Sequence, residues 1–206
     1  MIPRFSSFDF GLTGFAAWFH QDWQYEGAAR DLLSRLLGPE TDPREVRALR
    51  QDASWMRAGL TTGEIETLWE VGTGRNFRFG PDGSWPSGQD WLREIVERCD
   101  QWLRARDDWP PRERELTPDL IERVTVEVLA LTAAAPERLD PDGAIASALR
   151  RCVDTCPPDL ALRWVLRAER HWGLPLKKGQ YERLVQLGEQ FGFGEFVISD
   201  LDVYVE

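Results

Sequence analysis

The chain has 206 residues, a formal net charge of −10, 42% hydrophobic and 29% charged residues, a balance that excludes a disordered chain and points to a globular one. The negative charge repels phosphate backbones, so direct DNA or RNA binding is not expected, and a basic partner is favoured. No run approaches 18 consecutive apolar residues, and Met1-Ile2-Pro3-Arg4-Phe5 lacks the apolar core and cleavage site of a signal peptide, so neither a membrane span nor classical secretion is expected.

The first half begins with Phe8, Leu12, Phe15 and Phe19, spaced as one face of a helix with Ser6 or Ser7 as its cap. Gly11 and Gly14 weaken that helix unless another backbone packs closely against it. His20-Gln21-Asp22 follow, and Trp23 returns to the core. Two readings of His20 and Asp22 stand side by side: an acid/base pair, or a polar turn that bonds loop backbone and holds Trp23 in place.

Ala29, Leu32, Leu33 and Leu36 mark a second helix, stopped by Gly38-Pro39. Asp42-Pro43-Arg44-Glu45 opens a third, carrying Val46, Leu49, Ala53 and Met56 to Gly59. Thr61-Thr62-Gly63-Glu64 is a capping box for a short helix with Ile65, Leu68 and Trp69 inward and Glu64, Glu66 and Glu70 along it. Residues 71–86 break the pattern: Gly72, Gly74, Gly80 and Gly83 punctuate a loop that holds Asn76-Phe77-Arg78-Phe79 and the turn Pro81-Asp82-Gly83. The loop has no Lys, so it is not a P-loop. Ser87 caps the next helix, whose inward face is Trp91, Leu92, Ile95, Val96, Cys99, Trp102 and Leu103.

Arg104 to Glu115 is almost wholly charged around Pro110-Pro111, which predicts a domain boundary, with a first domain over 1–105, a linker over 106–116 and a second domain over 117–206. Helices then open at Thr117-Pro118-Asp119, Asp140-Pro141-Asp142 and Pro157-Pro158-Asp159, and a last one runs from Tyr181 to Phe191. Ile121, Val124, Val128 and Leu131 are the expected inward face of the first of these. The tail from Phe196 to Glu206 alternates and reads as extended, pairing with 76–79 or lying across the bundle. The expected fold is therefore mainly α: a helical bundle domain, a second helical domain and a short extended C-terminal tail.

Cys99, Cys152 and Cys156 are too few for a disulfide framework and fit a reducing cytosol. Cys152 and Cys156 lie four apart, but a zinc site needs two more ligands and His20 and His171 stand alone, so no metal and no cofactor are expected. No Gly-x-Ser-x-Gly elbow, His-Glu-x-x-His, Walker or dinucleotide sequence occurs, and no catalytic residue is assigned. The acidic groups Glu64/Glu66/Glu70 and Glu195/Asp200/Asp202/Glu206 read either as solvated faces or as docking patches for a basic protein.

Phe19-His20-Gln21-Asp22-Trp23 after the apolar stretch Leu12–Trp18, the short Thr62–Glu70 segment, and Ser87-Gly88-Gln89-Asp90-Trp91-Leu92 occur in the order found in bacterial contact-dependent growth inhibition immunity proteins. Residues from about 5 to 105 resemble that family; the loop at 71–86 is longer and richer in Gly, and the half from about 113 onward lies outside the resemblance. The resemblance implies a small all-α cytoplasmic protein, not an enzyme, that binds and blocks the toxic C-terminal domain of a polymorphic effector. The expected partner is a cognate protein toxin with a basic surface, with no nucleic acid or membrane involved. Glu64, Glu66, Glu70 and Asp82 are the candidate contact residues, and Phe19 to Trp23 a structural motif. The alternative is a non-enzymatic helical scaffold or adaptor docking through residues 117–206.

Overall fold

The computed structural model describes residues 8–106, 117–134, 137 and 139–206. Ser6, Ser7 and most of the expected linker lie outside them. The chain is mainly α, and isolated bridges are the only β pairing among the described residues. It forms two compact units, one of Phe10–Glu113 and one of Arg114–Glu206 together with Met1–Asp9. The chain therefore passes between units twice, once between Asp9 and Phe10.

The first unit holds α1 (Gly11–Ala16), α2 (Ala29–Leu36), α3 (Pro43–Gly59), α4 (Thr62–Gly72) and α5 (Gly88–Arg104). The helix starts follow the sequence chemistry. Asp42 accepts from the Arg44 amide with Pro43 in the first turn, Thr61 and Glu64 form a reciprocal capping box, and Ser87 accepts from the Asp90 amide. The long helices α3 and α5 pack on each other, and α1 packs on α3. Their apolar stripes bury Val46, Leu49, Ala53 and Met56 against Trp91, Leu92, Ile95 and Cys99.

The opening helix is shorter than the spacing of its aromatic residues predicts. It covers six residues; Phe8 is exposed and in the other unit, and Phe19 lies beyond the helix end yet is buried. The reason is the start of α1. Gly11 has φ +60°, and the Leu12 amide donates to the Asp52 carboxylate at 3.0 Å, 40 residues away. A Cβ on Gly11 would lie 2.2 Å from Asp52 Oδ2, so the close approach requires glycine. The buried carboxylate of Asp52 thus serves as a cap supplied by a neighbouring helix.

The second unit holds α6 (Pro118–Ala133), α7 (Ala144–Thr155), α8 (Pro158–Trp172) and α9 (Lys178–Phe191). Helix α8 is buried on almost every side, packed by α6 and α7. At α7 the cap is displaced: Gly143 takes a left-handed conformation at the N-cap, and Asp140 reaches forward to accept from the Ile145 and Ala146 amides at 3.0 and 2.8 Å. Ile121, expected inward, is exposed on α6. The tail is not extended. Residues Glu195–Val197 and Ser199–Tyr204 are 3-10 helices, and only Val205 makes a bridge, to Leu176. Val197, Ile198 and Leu201 are buried here, and the three-residue step from Ile198 to Leu201 is a spacing that the alternating pattern concealed.

Two residues at the chain start complete this unit. Asp9 lies 3.5 Å from Arg167 on α8, with both side chains nearly buried, and Phe8 stacks on Phe196 at 5.1 Å. Burial depresses the Arg167 guanidinium's pKa, and Asp9 opposes that depression.

Candidate functional site

In the first unit, an aromatic core holds two surface segments side by side. Phe15, Phe19, Trp23, Trp69, Phe77 and Trp91 are buried together. Phe19 meets Trp23 and Phe77 edge-on at 5.0 Å, and Trp69 meets Trp91 at 5.8 Å. Such pairs add about 0.5–1.5 kcal/mol each beyond the apolar area they bury.

The first segment is the turn between Phe19 and Trp23, two buried anchors with His20, Gln21 and Asp22 exposed between them. The His20 Nδ1 accepts from the Asp22 amide at 3.2 Å, and its Nε2 lies 3.3 Å from Glu26. The Asp22 carboxylate accepts only from Gln21 among the described residues, so His20 and Asp22 do not form a side-chain acid/base pair. Glu26 is held below the usual carboxylate range first by its bond from Arg35, with His20 adding to it. The turn continues into a 3-10 helix, Trp23–Glu26, that leaves Tyr25 91% exposed.

The second segment is the loop after α4. Gly74 and Arg75 both adopt left-handed backbone, with φ +60° and +63°. The Ser84 amide donates to the Arg78 carbonyl at 2.7 Å and the Gly80 amide to the Trp85 carbonyl at 3.0 Å, closing a loop with a single bridge between Phe79 and Trp85. A Cβ on Gly83 would lie 2.5 Å from the Arg78 carbonyl oxygen. Phe77 plugs the loop into the aromatic core, and Trp85 packs on Trp91 at 4.7 Å.

Trp23 joins the two segments: its Nε1 donates to the Asn76 carbonyl at 2.9 Å. Between them lies an open recess of about 410 Å³ bordered by Trp23, Gln24, Asn76, Arg78, Asp82 and Ser84. Ser84 also borders a second recess of about 530 Å³ beside Trp85, Arg30 and Arg93. Arg30 lies 5.1 Å over the Trp85 ring and donates to Glu94 at 2.8 Å. The two recesses thus share Ser84 on their borders.

The four candidate contact carboxylates separate. Glu64 accepts from the Thr61 amide and hydroxyl. Glu66 accepts from the Gly88 amide at 2.9 Å and so caps α5. Glu70 is half-buried; burial pushes its pKa up, and a bond from the Phe79 backbone opposes that. Asp82 alone is exposed at the loop tip on the recess wall. The three helix carboxylates therefore have work inside the unit, holding α4, α5 and the loop together.

Sequence reasoning missed Asp52 and Glu26. Asp52 had a signal: it lies three residues after Leu49, on the buried stripe of α3. Cys99, Cys152 and Cys156 are buried, and burial pushes the Cys99 thiol up to about 12. Among the described residues, no group of three or more His, Cys, Asp or Glu is placed to hold a metal, and no helix is long and apolar enough to cross a membrane. No family model matches the sequence, and neither curated proteins nor solved structures give a match.

Proposed function

We propose that this chain is a cytoplasmic immunity-type protein that binds and neutralises, by occlusion, the toxic C-terminal domain of a bacterial polymorphic toxin. The supporting observation is the arrangement of Phe19-His20-Gln21-Asp22-Trp23, the string that carries the family resemblance. Its two aromatic ends are buried anchors, its polar centre is exposed, and Trp23 borders an open recess. Such pre-ordering lowers the entropic cost of binding. The net charge of −10 steers a basic partner toward the chain. The test is protection in trans: cells expressing the effector C-terminal domain encoded beside this chain should grow when the chain is co-expressed. Continued killing, with the chain present in soluble form, would refute the proposal.

A second reading, a helical scaffold, is favoured by one observation. Ile121, Val126 and Leu129 are exposed along α6 in the second unit. Serine substitution at all three, with loss of partner binding and intact toxin protection, would assign that role.

A further inference from the structure

Three apolar side chains of the second unit are exposed. Phe8 is 64% exposed, Phe196 39% and Val203 75%. Phe8 and Phe196 are stacked at 5.1 Å. Arg170 Nη2 donates to the carbonyls of Phe196 and Val197, at 3.2 and 2.7 Å, and lies 3.4 Å from Asp200. Asp200 and Val203 are one turn apart on a 3-10 helix and share a face. One guanidinium thus bridges the backbone that carries the Phe8–Phe196 stack and the 3-10 helix that carries Asp200 and Val203.

We infer that this surface is a docking site for a basic protein segment carrying apolar residues, with Phe8, Phe196 and Val203 as the apolar centre and Glu195, Asp200 and Asp202 as the anionic rim. The inference rests on the reading of the chain as a binding protein for a basic partner and names a surface for it. Three observations carry it. The patch is fixed from behind: Arg170 holds the backbone of Phe196, and Asp9, next to Phe8, pairs with Arg167. A ring held in water by its own backbone anchors is pre-ordered for a partner. The segment is acidic, because residues 195–206 include Glu195, Asp200, Asp202 and Glu206 and no basic residue, with Arg170 offsetting Asp200 alone. An anionic rim disfavours nucleic acid and anionic lipid and complements Lys and Arg. An apolar centre with a charged rim is also the anatomy of protein interfaces, whereas Glu64, Glu66 and Glu70 are engaged within their own unit.

The probe is a synthetic amphipathic leucine–lysine peptide, with its leucine–glutamate counterpart as control, titrated into the full chain by calorimetry and mapped by backbone amide NMR. The lysine peptide should shift the amides of Phe8 and of residues 195–203, and the glutamate peptide should not bind. Phe196→Ser with Val203→Ser, at unchanged charge, should weaken the lysine peptide about tenfold or more. Val203→Ser alone, at an exposed position, keeps the test valid if the double variant does not fold. A footprint on the 73–86 loop, a diffuse footprint, or unchanged affinity in the serine variants would overturn the surface. Failure of toxin protection with this footprint intact would instead overturn the immunity reading and leave the surface standing.

Discussion

The indole Nε1 of Trp23 donates to the backbone carbonyl of Asn76 at 2.9 Å, across 53 residues of sequence. That bond ties the Phe19–Trp23 turn to the glycine-rich loop, the two segments that border the recess. Trp23→Phe keeps an aromatic ring but removes the N–H with the five-membered half of the indole, leaving the Asn76 carbonyl without its donor and a small cavity beside it. The expected cost is about 1–2 kcal/mol in urea unfolding, with faster amide exchange confined to residues 73–86. Unchanged exchange in the loop would show that the bond does not hold it.

Carboxylates that hold helices and carboxylates free to meet a partner are separable by mutation. Glu64→Lys removes the capping box of α4, and Glu66→Lys removes the acceptor for the Gly88 amide. Each should cost about 1 kcal/mol of stability. Asp82→Lys, at the exposed loop tip, should leave the melting temperature within a degree or so and alter partner binding if the recess is used. Stability loss at Asp82 with none at Glu64 and Glu66 would reverse these assignments.

Glu169 on α8 is 1% exposed, and neither carboxyl oxygen has a hydrogen-bond partner among the described residues. Burial pushes its pKa to about 8. The folded state therefore keeps a proton that the unfolded state releases near 4.5, its ordinary value. Stability should fall as pH rises from about 4.5 to about 8 and level off above that, by a few kcal/mol in all. Glu169→Gln should flatten this slope: near wild type at pH 5, more stable at pH 8. Parallel pH profiles for the two proteins would contradict the assignment.

Asp9 is the counter-charge for the nearly buried Arg167, although it lies 158 residues before it. Asp9→Asn should destabilise the second unit by about 2 kcal/mol or more, because a buried guanidinium loses its partner. Removing residues 1–9 should do the same. The first unit's thermal transition should stay in place; a shift there alone would contradict the division at Asp9. Any fragment meant to test the second unit must therefore retain Phe8 and Asp9.

Helix starts and stops were legible because they depend on neighbours in sequence: Asp42-Pro43, Thr61 with Glu64, and Ser87 all cap as their order predicts. Three features were not, because each depends on a residue far along the chain. The opening helix is cut short by Asp52, and Phe8 leaves the first unit for Phe196. The tail folds into 3-10 turns, the first of them held by Arg170 donating to the carbonyls of Phe196 and Val197. In the site, Trp23 and Phe77 were readable as core residues, but the bond from Trp23 to Asn76 was not. The function of Glu66 was also hidden, since its partner is the first residue of another helix.

The most direct test of the binding-protein account is to recover the full chain, tagged, from cells carrying its neighbouring open reading frames and to identify retained proteins by mass spectrometry. The account predicts a large effector held through a basic C-terminal domain, reconstituted from purified components and protective in living cells. Recovery of that effector domain unbound, with the chain folded and present in excess, would contradict it.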